Sequence, residues 1–163
     1  MTPSSGKTGR RLDALPPALI RLVVAGSRTY NNTAEFSRFV REYLCRLGVT
    51  PESDIVFISG KARKGPDNMI IDWCRDNGYN WVEYPAEWKK DGQVNMGAGY
   101  ERNIQMANVA THALIFWDGM SKGTMHMHSA CMRRYKNKEM AEKPFLIHVE
   151  PDPIPEYENL FWS

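Results

Sequence analysis

Ile55-Val-Phe-Ile-Ser-Gly60-Lys-Ala-Arg-Lys-Gly65-Pro-Asp67 passes from apolar, β-branched residues into a basic loop bracketed by two glycines, and then into a helix start. β-Branched residues suit a pleated, packed surface, glycine allows close approach of the backbone, and proline favours the first helical turn. A strand that empties into such a loop and a helix N-terminus is how an open α/β sheet builds an anion site. The same order of residues occurs at Leu22-Val-Val-Ala-Gly26-Ser-Arg28 and at Ala113-Leu-Ile-Phe-Trp-Asp118-Gly119-Met-Ser-Lys-Gly123-Thr124. Three such junctions point to a nucleotide-like ligand.

Working outward, Phe36, Phe39, Val40, Tyr43, Leu44 and Leu47 fall on one helical face, with Thr33 as the expected cap and Gly48 as the stop. A second strand is expected from Asp54 to Ser59, followed by a helix with Pro66 in its first turn and Gly78 at its end. Trp81 to Tyr84 read as a third strand, and the loop Pro85–Gly99 is long enough to suggest a function. Helices from Tyr100 to Val109 and from Thr124 to Lys136 alternate with strands Ala113–Trp117 and Phe145–Val149. These strands are continuous apolar runs, which means burial on both faces. The expected architecture is α/β, a single doubly wound Rossmann-like domain with a mostly parallel five-stranded sheet.

At 163 residues, 42% hydrophobic and 25% charged, the chain can bury a core without staples. Cys45, Cys74 and Cys131 are odd in number and scattered, so neither a disulfide framework nor a structural zinc site is supported, and a reducing cytoplasm is the expected location. No continuous apolar run near the start suggests a signal peptide or membrane anchor. Residues 1–20 read as a flexible arm, 21–150 as the ligand-binding domain and 151–163 as a C-terminal tail. Gly6-Lys7-Thr8 lacks the strand and upstream glycine of a P-loop. The tail group Leu160, Phe161 and Trp162 is open to two readings, docking on the domain or a second subunit, or a loose end. A formal charge of +2 carries no nucleic-acid footprint by itself, and the local basic loops matter more.

Gly26-Ser27-Arg28, Ser59-Gly60-x-Ala62-x-x-Gly65-x-Asp67, Pro85-Ala86-Glu87-Trp88, Gly99-x-x-Arg102-Asn103 and Asp118-Gly119-x-Ser121-x-Gly123-Thr124 together resemble the YspA-like branch of the SLOG superfamily, from about Arg21 to Val149. That superfamily also includes the DprA/SMF and LOG proteins. The resemblance implies a Rossmann-like fold and nucleotides or nucleotide-derived ligands. LOG enzymes, which the chain resembles more distantly, cleave the glycosidic bond of nucleoside monophosphates and carry a glycine-glycine-x-glycine-threonine-x-x-glutamate signature. Here Met127 stands where that glutamate would be, and a thioether cannot activate a water or hold a ribosyl cation as a carboxylate can.

The candidate ligand- or phosphate-binding residues are Gly26, Ser27, Arg28, Gly60, Lys61, Gly65, Asp67, Trp88, Arg102, Asn103, Asp118, Gly119, Ser121, Gly123 and Thr124. Each has a plainer reading beside it. Arg28 can be a surface arginine on a tight turn, Asp67 a dipole-stabilising acid, Lys61 and Lys64 solvated loop cations, and Trp88 a packing residue rather than a stacking platform. Glu101, Asp67 and Asp118 are the candidate catalytic carboxylates, Glu101 having helix capping as its plainer role. His126 and His128 are two apart on a helix and diverge, so they do not form a metal pair, and with His112 and His148 they read as structural or surface residues. No metal and no required cofactor are expected. Met96 and Met106 are candidate apolar walls of the crevice.

The leading expectation is binding of a nucleotide or nucleotide-derived species, ADP-ribose-like or cyclic, by a sensor or sequestering protein that forms a homo-oligomer. One alternative is an N-glycosidase or nucleotide hydrolase of LOG-like type. The other is single-stranded DNA binding of DprA-like type by Lys61, Arg63, Lys64, Lys89 and Lys90 with stacking on Trp88. No membrane partner is expected.

Overall fold

The structure, a computed structural model, describes residues 18–151. Gly6-Lys7-Thr8, most of the expected N-terminal arm and the tail beyond Pro151 lie outside the described residues. In chain order the elements are β1 (Ile20–Gly26), α1 (Thr33–Leu47), β2 (Ile55–Ser59), α2 (Pro66–Asn77), β3 (Asn80–Glu83), β4 (Lys89–Lys90), β5 (Gln93–Val94), α3 (Ala98–Val109), β6 (His112–Trp117), α4 (Lys122–Lys136) and β7 (Phe145–His148).

Five strands form one sheet in the order β3-β2-β1-β6-β7, and every pairing within it is parallel. The chain therefore builds outward from β1 to β3, returns to the other side of β1, and continues through β6 to β7. This reversal opens a crevice at the carboxyl ends of β1 and β6, where an open α/β sheet takes its ligand.

The two faces of the sheet carry separate cores. On one, Leu22, Val24, Phe57, Leu114 and Phe116 pack with Phe36, Val40 and Leu44 of α1 and Ile70, Trp73 and Cys74 of α2. On the other, Val23, Ala25, Ile58, Ala113 and Ile115 pack with Met106 and Ala107 of α3 and Met127, Ala130 and Cys131 of α4. Alternate strand residues serve opposite faces, so both faces must be apolar, which is why the strands read as unbroken hydrophobic runs. Phe116 near the end of β6 meets Tyr30, Phe36 and Phe39 at centroid separations of 5.5, 5.0 and 6.0 Å. Such aromatic pairs contribute about 0.5–1.5 kcal/mol each and fix the strand end beside the crevice.

Several boundaries differ from the sequence expectation. Asn32 rather than Thr33 caps α1, its side chain accepting from the Glu35 amide at 3.1 Å. Ser121 caps α4 by accepting from the Thr124 amide at 3.2 Å, so this helix begins at Lys122 rather than Thr124. Gly97 precedes α3, which starts at Ala98 rather than Tyr100. The segment expected to be a loop contains an antiparallel ribbon, β4 against β5, turned through Asp91 and Gly92 at φ of 53° and 78°. Paired positive φ values at an Asp-Gly turn match the right-handed twist of a tight hairpin. Met106 belongs to the core and Met96 is exposed, and neither lines the crevice.

Candidate functional site

The ends of β1 and β6 are tied together by short polar side chains. Ser27 donates its amide to the Phe116 carbonyl at 2.9 Å, and its Oγ accepts from the Asp118 amide at 3.1 Å. Asp118 in turn accepts from Thr29 Oγ1 at 2.7 Å and from the amides of Met120 and Ser121 at 2.8 and 2.9 Å. Partial burial pushes the Asp118 carboxyl up, but the bonds from Met120, Thr29, Ser121 and Ser27 together outweigh it and hold the group below its ordinary value.

Glycines allow the loops to close on one another. A Cβ on Gly26 would stand 2.5 Å from both the Phe116 carbonyl oxygen and Pro66 Cγ. Gly65, at φ +81°, would place its Cβ 2.7 Å from the Ser27 carbonyl oxygen. The loop after β2 thus lies directly against the loop after β1. Buried Ser59 shapes that second loop, donating to the Asp67 carbonyl at 2.6 Å and accepting from the Lys61 amide at 3.0 Å.

Asp67, Arg28 and Arg102 form the electrostatic centre. Asp67 is buried, and desolvation raises its carboxyl above the ordinary value, opposed by Arg102, by the amides of Ala62 and Gly26, and by Arg28. Desolvation likewise lowers Arg102, with Asp67 supporting its charge and Arg28 opposing it. With the three groups ionised, one negative and two positive charges leave a surplus positive charge for a ligand. Arg102 is held by two contacts, Nη1 donating to the Gly60 carbonyl and Nε to Asn103 Oδ1 at 3.1 Å. Asn103 Nδ2 lies 3.2 Å from both the Gly123 carbonyl oxygen and His126 Nδ1, so it bridges α3 to α4. Burial, then Arg133, holds His126 below its ordinary pKa, which favours the neutral ring whose Nδ1 can accept. Tyr100 stacks on the same ring at 4.3 Å.

Gly26, Arg28, Asp67, Trp88, Arg102, Asn103, Asp118, Ser121, Gly123 and Thr124 come together around one cavity of about 470 Å³. Gly60 and Lys61 line a neighbouring cavity of about 710 Å³. Ser27, Gly65 and Gly119 line neither; Ser27 and Gly65 stand behind the walls as packing residues. Glu101 also lines neither, being exposed and accepting from Asn95 Nδ2 at 3.1 Å. Tyr100, Thr29 and Met120 line the first cavity and were not among the residues expected from sequence. Tyr100 was legible in principle as the residue three before Asn103 on the same helix face. Met127, the position compared with the LOG glutamate, borders the first cavity while its side chain is buried in the core between α4 and the sheet. Trp88 is 48% exposed, and its indole edge lies 3.4 Å from where a Cβ of Gly99 would be. Lys89 and Lys90 are exposed on the ribbon and line neither cavity.

Among the described residues no group of three or more His, Cys, Asp or Glu side chains is arranged to hold a metal, and no helix is long and apolar enough to cross a membrane. Cys45, Cys74 and Cys131 are free thiols.

No curated protein matches the chain. Among solved structures it is similar to DNA processing protein A from Helicobacter pylori, described for its single-stranded DNA binding mode, at 15% identity and a TM-score of 0.52, over 89% of this chain and 73% of that one. A likeness at that identity shows the fold. Residues 20–90 match the model of the YspA, cpYpsA-related SLOG family, and that match supports a likeness of the chain to the YspA-like branch of the SLOG superfamily.

Proposed function

We propose that the chain binds a nucleotide or nucleotide-derived small molecule in the crevice at the carboxyl ends of β1 and β6, and acts by sensing or sequestering it. The observation that carries this reading is the convergence of Arg28 and Arg102 on one cavity that also presents the Thr124 and Ser121 hydroxyls and the exposed face of Trp88. Guanidinium groups take phosphate through paired, charge-assisted hydrogen bonds, and an indole gives a base a flat apolar platform.

Binding is favoured over turnover by what the cavity's carboxylates already do. Asp118 is committed to the Thr29 hydroxyl and two loop amides, and Asp67 to Arg102 and backbone amides. A hydrolytic carboxylate needs a free oxygen aimed at a water or at the sugar. The test incubates the purified protein with nucleoside monophosphates, NAD, ADP-ribose and cyclic nucleotides, washes it, and identifies released and unconverted compounds by mass spectrometry. Recovery of an intact compound from the protein supports binding. Release of free base or ribose phosphate would replace this reading with an N-glycosidase, and no retention of any compound would remove it.

A second reading, single-stranded DNA binding, draws support from half-exposed Trp88 beside the cationic loop Lys61–Lys64 and the ribbon Lys89–Lys90, and from the fold shared with the Helicobacter pylori protein. Stacking plus a basic track is how sequence-tolerant strand binding works. Oligothymidylate affinity that falls steeply with salt favours this reading, and insensitivity to salt counts against it.

A further inference from the structure

The two cavities are not independent. They share Arg28, Ala62, Trp88 and Arg102 as a common wall, so an occupant of one touches the same guanidiniums as an occupant of the other. Their chemistry differs. The first presents two carboxylates and several hydroxyls, which suit a sugar and its neutral base. The second is lined by Lys61, Arg63 and Lys64 and by no acid.

Of these cations, Lys61 is already paired, its Nζ 2.9 Å from Glu83 Oε1 at the end of β3. No hydrogen bond or ion pair among the described residues engages Arg63 or Lys64. The backbone that carries them is anchored rather than loose. Lys61 is held at φ 58°, its amide bound to Ser59 Oγ, and the Gly60 carbonyl takes Arg102. Two cations without a partner among the described residues therefore line a concave space that the first cavity does not include, since Arg63 and Lys64 belong to the second cavity alone while Arg28 and Arg102 belong to both.

We infer that the ligand carries a second phosphoryl group beyond the one at the shared wall, seated in the second cavity against Arg63 and Lys64. The chemical class is a nucleotide with two separated phosphates, as in a 5′-phosphorylated dinucleotide. This rests on the nucleotide reading above. The same chemistry is offered by a free dinucleotide and by a segment of a single strand.

Calorimetric titration with the four 5′-monophosphates, the matching 5′-phosphorylated dinucleotides and a twenty-residue oligothymidylate tests it, using the full chain and the Arg63→Ala/Lys64→Ala double variant. Charge-assisted contacts of this kind lead to an expected gain of about tenfold for dinucleotide over monophosphate. That gain should vanish in the double variant while monophosphate affinity and melting temperature stay the same. A dinucleotide that binds no tighter than its monophosphate, or a gain that survives the double substitution, overturns the inference and leaves the nucleotide reading standing. Binding of neither overturns both. If the gain is present, a plateau at dinucleotide length identifies a free small molecule as its source, whereas a further rise with oligothymidylate identifies a strand.

Discussion

Arg102 donates through Nη1 to the carbonyl oxygen of Gly60, which joins the first turns of α3 to the loop leaving β2 and sets the guanidinium on the wall between the two cavities. The contact depends on Gly60 having no side chain, since a Cβ there would stand 2.6 Å from Nη1 and 2.7 Å from Asp67 Oδ2. Asp67 is buried and held by the Ala62 and Gly26 amides, whereas the Arg102 guanidinium is the end of a long, partly buried side chain, so Gly60→Ala should displace the arginine rather than unfold the domain. The expected stability loss is about 1 kcal/mol, one hydrogen bond, and a fall of about 2–4 °C in Tm for a chain of this size. Ligand affinity should fall more, about tenfold, and calorimetry of folding and of binding on the same variant checks the two numbers together.

Arg28 and Arg102 face the same cavity but have different structural duties. Arg28 is exposed, whereas Arg102 is partly buried beside Asp67 and bonded to Gly60 and Asn103. Arg28→Ala should leave stability within about 0.5 kcal/mol of the parent while weakening nucleotide binding about tenfold or more. Arg102→Ala should lower both, because it leaves a buried carboxylate without its main cationic neighbour. Urea denaturation beside equilibrium binding separates the two, and equal stability losses would contradict the assignment.

Gly123 gives a substitution whose effects on folding and on binding have opposite signs. It lies in the first turn of α4 on the cavity wall, and a Cβ there meets nothing within 4 Å. Alanine is a better helix former than glycine by about 0.8–1 kcal/mol in a helix interior, so Gly123→Ala should raise Tm slightly. The added methyl projects where a ligand would sit against the helix start, and affinity should drop. A rise in both quantities would argue that nothing approaches α4 there.

The sheet was legible because burial on both faces forces an unbroken apolar strand, and the runs at Leu22–Ala25, Ile55–Ile58 and Ala113–Trp117 carry that mark plainly. The β4–β5 ribbon was not, because Lys89, Lys90 and Gln93 offer no apolar alternation and only the Asp91-Gly92 turn signals a hairpin. Within the site, residues that meet the crevice directly could be read from their positions, Arg28 from its place just after the first strand and Arg102 and Asn103 from theirs near a helix start. Glu101 could not be placed by adjacency to Arg102, since each helical residue turns about 100° from the last and this one faces solvent and Asn95. Ser27 and Gly65 are packing residues between two loops far apart in sequence, a relationship that appears only once the loops are brought together.

Asp67 should impose an unusual pH dependence. Burial raises its carboxyl above the ordinary value despite Arg102 and two backbone amides, so the folded state holds this proton more tightly than the unfolded chain does. The stability associated with that proton is fully present below the unfolded value of about 4 and is lost as pH rises through the folded value. Measured against Asp67→Asn, which does not titrate, the parent should lose stability from about pH 4 upward and then level off. A phosphate bound at Arg102 competes with the carboxylate for the same guanidinium and adds a second negative charge nearby. Ligand binding should therefore draw the proton onto Asp67, and affinity should weaken as pH rises through the same interval. Denaturant titrations of both proteins between pH 4 and 8, with binding isotherms at each pH, test this. Stability that instead rises across the interval relative to the variant would mean that Arg102 and the amides outweigh burial at this site.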